Sequence, residues 1–261
     1  MDIIYEPDIS YRRALQIDKM WAESDFTGKL YTEILTMASL QGNEVALDVA
    51  AGTGCLVQLL SEILAKGRVI GIDPSSAMIR LAQNKLLKKK AANAAVMASL
   101  GNDFIFRDSM FDAVFCVLGL YHFADPLKGL NEMKRVLKTG GELILCEPEA
   151  PDDAELREVL SESFQLAHPN YRFFSGGELY SLVADAGFSR QKSATEQFAF
   201  DQYGVAGIPM GVHYLETRAM IQRRKQQDLL DKFEKNLFRV SGEMMRVRGK
   251  LNFALLQAAK K

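Results

Sequence analysis

The segment Val45–Cys55 constrains the fold of this chain more than any other stretch of its sequence. It begins with an apolar run, Val45–Val49, that has the composition of a buried strand and contains one carboxylate, Asp48. Two glycines, Gly52 and Gly54, follow, and an amphipathic stretch comes after them. Glycine adopts backbone conformations with φ > 0 and lets a ligand approach the backbone closely. The segment therefore predicts a strand, a glycine turn and a helix.

The carboxylate of Asp48 and the turn that follows it indicate a binding site. An unpaired charge at the end of a buried strand is costly, so Asp48 needs a partner. Free N–H groups at the start of the following helix attract electronegative groups. A ligand that carries both an amine and a carboxylate would satisfy the two ends. The dinucleotide fingerprint G-x-G-x-x-G fits less well, because Ala50 and Cys55 hold two of its three glycine positions.

Strand patterns and helix patterns alternate through the first 150 residues, which predicts parallel strands in a doubly wound α/β sheet. Ligands of such sheets lie beyond the carboxyl ends of the strands. Asp73 ends the second predicted strand, and an acidic residue about 20 positions beyond a glycine turn suits hydrogen bonds to ribose hydroxyls. The strands predicted in this half are 45–49, 68–73, 94–100, 111–118 and 142–147.

The other predicted elements are helices, apart from two strands near the carboxyl terminus. Gly140 and Gly141 are expected to end the helix that begins at Leu127. The segment 203–213 is rich in glycine and contains Pro209, which predicts irregular structure. The predicted helices are 11–20, 29–40, 56–64, 76–86, 127–138, 152–167, 177–187 and 214–239, and the late strands are 188–200 and 250–258.

Composition excludes several classes of function. With 48% hydrophobic and 25% charged residues and a net charge of −1, the chain has no global attraction to nucleic acid or to an anionic membrane. The three cysteines form no C-x-x-C pair and are typical of reduced thiols in a cytoplasmic protein. The three histidines are scattered, so no metal site is expected. Neither a signal peptide nor an apolar run of about 18 residues is present, so no membrane association is expected.

Four motifs in order resemble those of class I S-adenosylmethionine-dependent methyltransferases. The closest likeness is to the small-molecule group that includes the ubiquinone and menaquinone biosynthesis enzymes, and it covers about residues 45–147. The arms on either side match no subfamily. The stretches that carry the resemblance are 46–54 (ALDVAAGTG), 71–78 (GIDPSSAM), 111–114 (FDAV) with 120–126 (LYHFADP), and 135–142 (RVLKTGGE).

This resemblance implies a Rossmann-like fold with seven strands, mostly parallel, and an antiparallel last strand. The segment 250–258 would be that last strand, inserted beside 188–200. The resemblance divides the chain into a helical arm or lid, 1–42, a methyltransferase core, 43–200 with 248–261, and a helical insertion or lid, 201–247.

The resemblance also implies S-adenosyl-L-methionine as the cofactor and assigns roles to individual residues. Asp48 would hold the methionine amine, and Asp73 would bind the ribose hydroxyls. Met78 would pack on the adenine. The other residues expected to line the cofactor site are Ala50, Gly52, Gly54, Pro74, Ser99, Leu100, Leu118 and Gly119.

The chain departs from the family pattern at two places. Many members have Gly-Cys where this chain has Ala50-Ala51, a change expected to be harmless because alanine is small. Many have an acidic residue near the position of Ser99 or Leu100, which this chain lacks.

The leading hypothesis is methyl transfer to a small, partly apolar or aromatic molecule, with candidate bases His122, Tyr121 and Glu147 near predicted strand ends. In the structural alternatives, the His122 ring bonds a loop carbonyl and Glu147 is a solvated loop carboxylate. The competing functions are a nicotinamide-dependent oxidoreductase, a non-catalytic binding module with this fold, and nucleic-acid methylation. The glycine spacing disfavours the oxidoreductase, and the presence of both Asp48 and Asp73 disfavours the non-catalytic module. The low basicity of the chain and the lack of a base-flipping motif disfavour nucleic-acid methylation.

Two segments are expected to close over the cofactor and wall the acceptor pocket. One is the aromatic arm, Tyr5–Tyr31, and the other is Phe198–Tyr214, whose glycines allow bending. The alternative is that both pack on the domain edge. A cytoplasmic monomer or homodimer that acts on a small-molecule acceptor is expected.

Overall fold

The computed structural model describes residues 10–23, 25–101, 103–151, 154–167, 171–175, 177–199, 211–241, 244–247 and 250–260. Its strands are β1 (Val45–Val49), β2 (Arg68–Asp73), β3 (Ala94–Ala98), β4 (Phe111–Val117), β5 (Leu137–Pro148), β6 (Phe188–Ala199), β7 (Phe238–Ser241), β8 (Met244–Val247) and β9 (Lys250–Lys260). Its helices are α1 (Tyr11–Glu23), α2 (Asp25–Met37), α3 (Cys55–Ile63), α4 (Ser76–Lys89), α5 (Pro126–Val136), α6 (Ala154–Ala167), α7 (Glu178–Asp185), α8 (Gly211–Arg223) and α9 (Gln227–Leu237). A 3-10 turn spans Leu120–His122.

Seven strands form one sheet in the order β3-β2-β1-β4-β5-β9-β6. Strand β1 is parallel to β2 and β4, and β9 runs antiparallel to both β5 and β6. The predicted Rossmann-like α/β fold, with seven mostly parallel strands and an antiparallel last strand, is confirmed. The strand order reverses between β1 and β4, so the carboxyl ends of these two strands form the switch point where such sheets bind ligands.

The core lies where the central strands meet the helices. Leu47, Val114 and Leu143 occupy paired positions on β1, β4 and β5, and each is fully buried. Because both faces of a parallel sheet are covered by helices, its central strands consist almost entirely of apolar residues. This core fixes the strand ends that carry the candidate site.

Two helices that follow these strands begin at caps visible in the sequence. The hydroxyl of Ser75 accepts a hydrogen bond from the Met78 N–H at 3.3 Å, and the Asp125 carboxylate accepts one from the Lys128 N–H at 3.0 Å. Pro126 follows Asp125 in the first turn of α5, where a missing N–H costs nothing. Helix α4 therefore starts shortly after the end of β2, whereas α5 starts after the 3-10 turn that follows β4.

The predicted end of α5 is wrong. The helix ends at Val136, before the two glycines, and β5 starts at the next residue. Gly140 and Gly141 lie inside β5, where the pairing with β4 shifts register between Phe111 and Ala113. Gly140 adopts φ 76°, a left-handed conformation that suits a bulge. The glycines therefore shape an irregular strand and do not stop a helix.

The prediction of one long helix over 214–239 is also wrong. Helix α8 ends at Arg223 and α9 begins at Gln227, with Lys225 between them at φ 55°. The end of the predicted helix instead forms strand β7, which pairs with β8 in a hairpin. Of the segment predicted to be irregular, 203–213, residues 203–210 lie outside the described residues, and residues 211–213 begin α8. In the part of the chain that the structure describes, no helix is both long and apolar enough to cross a bilayer.

Candidate functional site

The turn between β1 and α3 has the conformation that its glycines predict. Gly54 adopts φ 76°, and a Cβ there would lie 2.9 Å from the Cβ of Ala82 on α4. Ala50 also adopts a left-handed conformation, with φ 60°. Alanine pays about 1 kcal/mol for this conformation, a cost that the glycine typical of the family avoids. The turn is therefore tight, and it is held against α4.

Asp48 lies near the end of β1 and is 2% exposed. No residue in the described ranges donates a hydrogen bond to its carboxylate. Burial, together with repulsion from the charge of Asp73, raises the pKa of Asp48 well above its usual value. A carboxylate in this state gains a large amount of free energy from a bound cation.

Asp73 ends β2 and has two backbone partners. Its Oδ2 atom accepts a hydrogen bond from the Gly52 N–H at 2.9 Å, and its Oδ1 atom accepts one from the Ser75 N–H at 2.8 Å. Burial raises the pKa of Asp73 to about 6, and this effect outweighs the two hydrogen bonds, which lower the pKa. A carboxylate oxygen accepts more than one hydrogen bond, so both oxygens can also accept from a pair of vicinal hydroxyls.

The backbone N–H groups of the glycine turn are mostly occupied. Besides Gly52, the Ala51 N–H donates to the Ile72 carbonyl and the Gly54 N–H donates to the Ala51 carbonyl, both at 2.9 Å. These bonds fix the shape of the turn. They also leave it fewer free donors for an anionic group than the sequence suggests.

The residues expected near the adenine lie beside Asp73. The Ser99 N–H donates to the Asp73 carbonyl at 3.2 Å, so the 99–100 segment borders the end of β2. Pro74 links β2 to α4. Met78 is 7% exposed and belongs to a small apolar cluster that includes Ala14 of α1. The structure thus brings Ser99, Leu100, Pro74 and Met78 to one side of the switch point.

The end of β4 has an unusual backbone. Leu118 adopts φ 52°, which is rare for a bulky residue and marks a constrained segment. A Cβ on the next residue, Gly119, would lie 2.5 Å from the Cβ of Ala50. The turns after β1 and β4 therefore touch, and only glycine fits at position 119.

Glu147 holds this turn in place from inside the protein. Its side chain is fully buried in β5, so the interpretation as a solvated loop carboxylate is wrong. Its Oε1 atom accepts hydrogen bonds from the N–H groups of Gly119 at 3.0 Å and Leu120 at 2.7 Å, and its Oε2 atom accepts one from Tyr121 at 3.4 Å. Burial raises the pKa of Glu147 to about 8. Because both oxygens face the backbone, Glu147 is better placed to shape the turn than to take a proton from a substrate.

The other two candidate bases differ in exposure. Tyr121 is 4% exposed, and its ring lies 4.9 Å from the ring of Tyr171. His122 is half-buried, with its ring 4.0 Å from that of Tyr121. Among the three candidates, His122 thus has the most surface available to a ligand.

An aromatic cluster that the sequence analysis missed lies next to these residues. Tyr171 stacks on Phe164 of α6 at 4.7 Å and contacts Phe173 edge-on at 5.2 Å. These residues are far apart in sequence from Tyr121, and their spacing carries no signal of a shared site. The cluster makes the surroundings of the 3-10 turn predominantly apolar and aromatic.

The amino-terminal helices pack against the same end of the sheet. Asp18 of α1 forms a salt bridge with Lys85 of α4, and Arg80 of α4 lies 4.0 Å from the ring centroid of Tyr11. On α2, the ring of Tyr31 stacks on Trp21 at 5.9 Å. Helix α1 therefore contacts α4 through a salt bridge and a cation–π contact, and the stacked rings of Trp21 and Tyr31 join α1 to α2.

Comparison with known proteins gives the class of this chain. A family model described as a methyltransferase domain matches residues 47–145. Demethylmenaquinone methyltransferase from Lactiplantibacillus plantarum is 37% identical over 182 residues, which cover 66% of this chain and 76% of that protein. The enzyme of the same name from Bacteroides fragilis is 34% identical over 116 residues, 44% of this chain and 47% of that protein.

Two solved structures share the fold. YcgJ from Bacillus subtilis has a TM-score of 0.69 and 22% identity, covering 89% of this chain and 97% of that one. The second is Haemonchus contortus phosphoethanolamine N-methyltransferase 2, solved with phosphomonomethylethanolamine and S-adenosylhomocysteine. It has a TM-score of 0.69 and 17% identity, and the match covers 99% of this chain and 60% of that one. The chain belongs to the class I S-adenosylmethionine-dependent small-molecule methyltransferases, and its cofactor is S-adenosyl-L-methionine.

Proposed function

We propose that this enzyme transfers the methyl group of S-adenosylmethionine to a small, partly apolar or aromatic acceptor. The observation that carries the proposal is the half-buried ring of His122 at the end of β4, beside the aromatic cluster of Tyr121, Tyr171 and Phe164. Such surroundings favour a planar or apolar molecule over a small charged one. The names of the demethylmenaquinone methyltransferases similar to this chain agree with that preference.

In the proposed reaction the acceptor displaces the sulfonium in line. The acceptor's electron pair forms a bond to the methyl carbon while the carbon–sulfur bond breaks, and that bond's electrons stay on sulfur as a neutral thioether. The protein supplies much of the rate by alignment. Where the acceptor is a hydroxyl or carbon acid, His122 takes its proton. Glu147 fixes the backbone next to His122, and the ring of Tyr121 packs against the His122 ring.

The proposed cofactor contacts follow the geometry described above. Asp48 pairs with the methionine amine, and Asp73 accepts from the ribose hydroxyls. Met78 and the 99–100 segment would hold the adenine. Leu118 and Gly119, with the turn that carries Gly52 and Gly54, would border the sulfonium.

The proposal extends to the rest of the chain. Residues 1–42 form an arm over the cofactor, and residues 201–247 form an insertion that closes the acceptor side of a core made of 43–200 and 248–261. The enzyme acts in the cytoplasm as a monomer or homodimer. A nicotinamide-dependent oxidoreductase is not favoured, because the matching family model and the two curated relatives named above are methyltransferases.

His122→Asn is expected to lower the rate of methyl transfer much more than it changes cofactor affinity, by about 10²- to 10⁴-fold if His122 is the base. The acceptor probe is reduced demethylmenaquinone, and single-turnover transfer is the measurement. Phosphomonomethylethanolamine is the polar control acceptor and should not be methylated. An unchanged transfer rate in the variant would assign His122 a structural role, and transfer to the polar acceptor alone would contradict the proposed acceptor class.

Cofactor affinity is expected to fall as pH drops below about 6, because Asp73 then becomes protonated and accepts hydrogen bonds less well. The ligand for this test is 5′-methylthioadenosine, which contains the ribose but no amine, so it forms no ion pair with Asp48. Calorimetric titration should show constant affinity from pH 7 upward. Asp73→Asn should lose roughly 10- to 150-fold in affinity and all of this pH dependence. A variant that kept the wild-type pH profile would exclude Asp73 as the ribose ligand.

A further inference from the structure

Helices α6, α8 and α9 pack against one another in a layer that begins after the carboxyl end of β5. Aromatic rings connect this layer to the 3-10 turn. Phe164 of α6 lies 6.5 Å from Phe233 of α9 and stacks on Tyr171 at 4.7 Å. The Tyr171 ring in turn lies 4.9 Å from that of Tyr121 and 6.2 Å from that of His122. The helical layer therefore borders the residues that carry the proposed acceptor site.

Two hydroxyl groups are buried in this layer without a hydrogen-bond partner. Ser163, next to Phe164 on α6, and Thr217 on α8 are both fully buried, and neither Oγ atom is paired within the part of the chain that the structure describes. Among the described side chains of α8, the buried ones are Thr217 and Ile221, which lie one turn apart. Because α8 packs mainly on α6 and α9, this buried face points into the layer.

Other hydroxyls in helices of this chain are paired in the usual way. Those of Thr32 and Ser181 donate to the backbone carbonyl one turn earlier, at 2.8 Å and 3.1 Å. A buried hydroxyl that makes no such bond costs free energy. Most buried polar groups in proteins are paired, so an unpaired one needs an explanation. Two unpaired hydroxyls, Ser163 and Thr217, on two helices that pack together indicate a partner that is not part of the chain.

We propose that the hydroxyls of Ser163 and Thr217 bind an oxygen substituent on the ring of the methyl acceptor. The aromatic cluster would pack on the ring, and the two hydroxyls would bind its polar edge. A serine or threonine hydroxyl both donates and accepts hydrogen bonds, so it suits a hydroxyl or a carbonyl oxygen. The acceptor is then an oxygenated aromatic, such as a phenol, a quinol or a quinone. This inference rests on the proposed function and narrows its acceptor class.

The test compares two ligands that differ only in their oxygens. The first is 1,4-dihydroxynaphthalene, kept reduced under nitrogen, and the second is naphthalene. Both are titrated calorimetrically into the full chain saturated with S-adenosylhomocysteine, so that binding is measured without transfer. Wild type should bind the dihydroxy compound at least about 10-fold more tightly, because naphthalene leaves the buried hydroxyls unpaired.

Matched variants assign this preference to the two residues. Ser163→Ala and Thr217→Val each remove one hydroxyl, and each should weaken binding of 1,4-dihydroxynaphthalene by about 3- to 10-fold. Thr217→Ser keeps the hydroxyl and should stay within about twofold of wild type. Affinity for naphthalene and for S-adenosylhomocysteine should not change. Without ligand, Ser163→Ala and Thr217→Val should melt at or above the wild-type temperature, since each removes an unpaired buried hydroxyl.

The outcomes distinguish this inference from the proposed function. If the variants lost affinity equally for both ligands, Ser163 and Thr217 would act only through packing. If they bound 1,4-dihydroxynaphthalene as tightly as wild type does, their hydroxyls would touch no acceptor. Either result overturns the inference and leaves the aromatic acceptor class in place. Failure of wild type to bind either ligand would instead reject that acceptor class, and the inference with it.

Discussion

Asp48→Asn is expected to weaken S-adenosylhomocysteine binding by roughly 30-fold or more while making the ligand-free protein more stable. The loss arises because the ammonium of the ligand would be buried without its counter-charge. The gain arises because the substitution removes a carboxylate that is 2% exposed and has no hydrogen-bond partner among the described residues. Removing such a charge stabilises a fold by about 1–2 kcal/mol, which corresponds to a rise in melting temperature of roughly 2–8 °C. Calorimetric titration and thermal unfolding measure the two effects.

The pH dependence gives this prediction a second readout. Because the pKa of Asp48 is raised in the folded protein, its contribution to stability is fully present below the pKa of the unfolded chain and is lost as pH rises through the folded value. The advantage of Asp48→Asn over wild type should therefore grow with pH. Affinity for 5′-methylthioadenosine, which has no amine, should not change. A variant that bound S-adenosylhomocysteine as tightly as wild type would remove Asp48 from the site.

The fold could be predicted from local patterns because its central strands are continuous apolar runs that end at turn residues. Strands β1 and β2 match their predicted bounds, and β9 lies beside β6 as expected. The errors fall where local sequence and tertiary contacts compete. Gly140 is typical of a helix end, yet pairing with β4 extends the strand through it. The charged segment from Tyr214 to Arg239 contains no glycine or proline, so nothing local predicts the left-handed Lys225 that divides it.

The candidate site was predictable where each residue's role follows from its position in one element. Asp48 and Asp73 each lie at or near a strand end, and a carboxylate there is unusual enough to notice. The role of Glu147 depends on contacts with a segment distant in sequence, because its side chain bonds residues 26 to 28 positions away. Contacts between residues distant in sequence become visible only in the folded structure.

Glu147→Ala is expected to destabilise the protein by on the order of 3 kcal/mol or more, since it leaves the buried N–H groups of Gly119, Leu120 and Tyr121 without their acceptor. The constrained Leu118 would then be free to leave its left-handed conformation. Glu147→Gln is the matched control, because its amide oxygen can still accept from the two closest N–H groups. Denaturant unfolding should give a much smaller loss for the glutamine variant. Equal losses for the two variants would contradict the anchoring role.

The charge of Glu147 can be separated from its shape by measuring the same variants at several pH values. The folded pKa, about 8, lies above the unfolded value, so the contribution of Glu147 to stability is complete at low pH and declines as pH rises through about 8. Two thiols near it, Cys116 and Cys146, have their pKa values raised by burial and therefore add no charge in this range. The loss of unfolding free energy in Glu147→Gln, relative to wild type, should thus be smaller at pH 9 than at pH 6.

The turn that Glu147 anchors carries His122. Methyl transfer should therefore fall in Glu147→Ala even where this variant remains folded, while its affinity for 5′-methylthioadenosine stays near that of wild type.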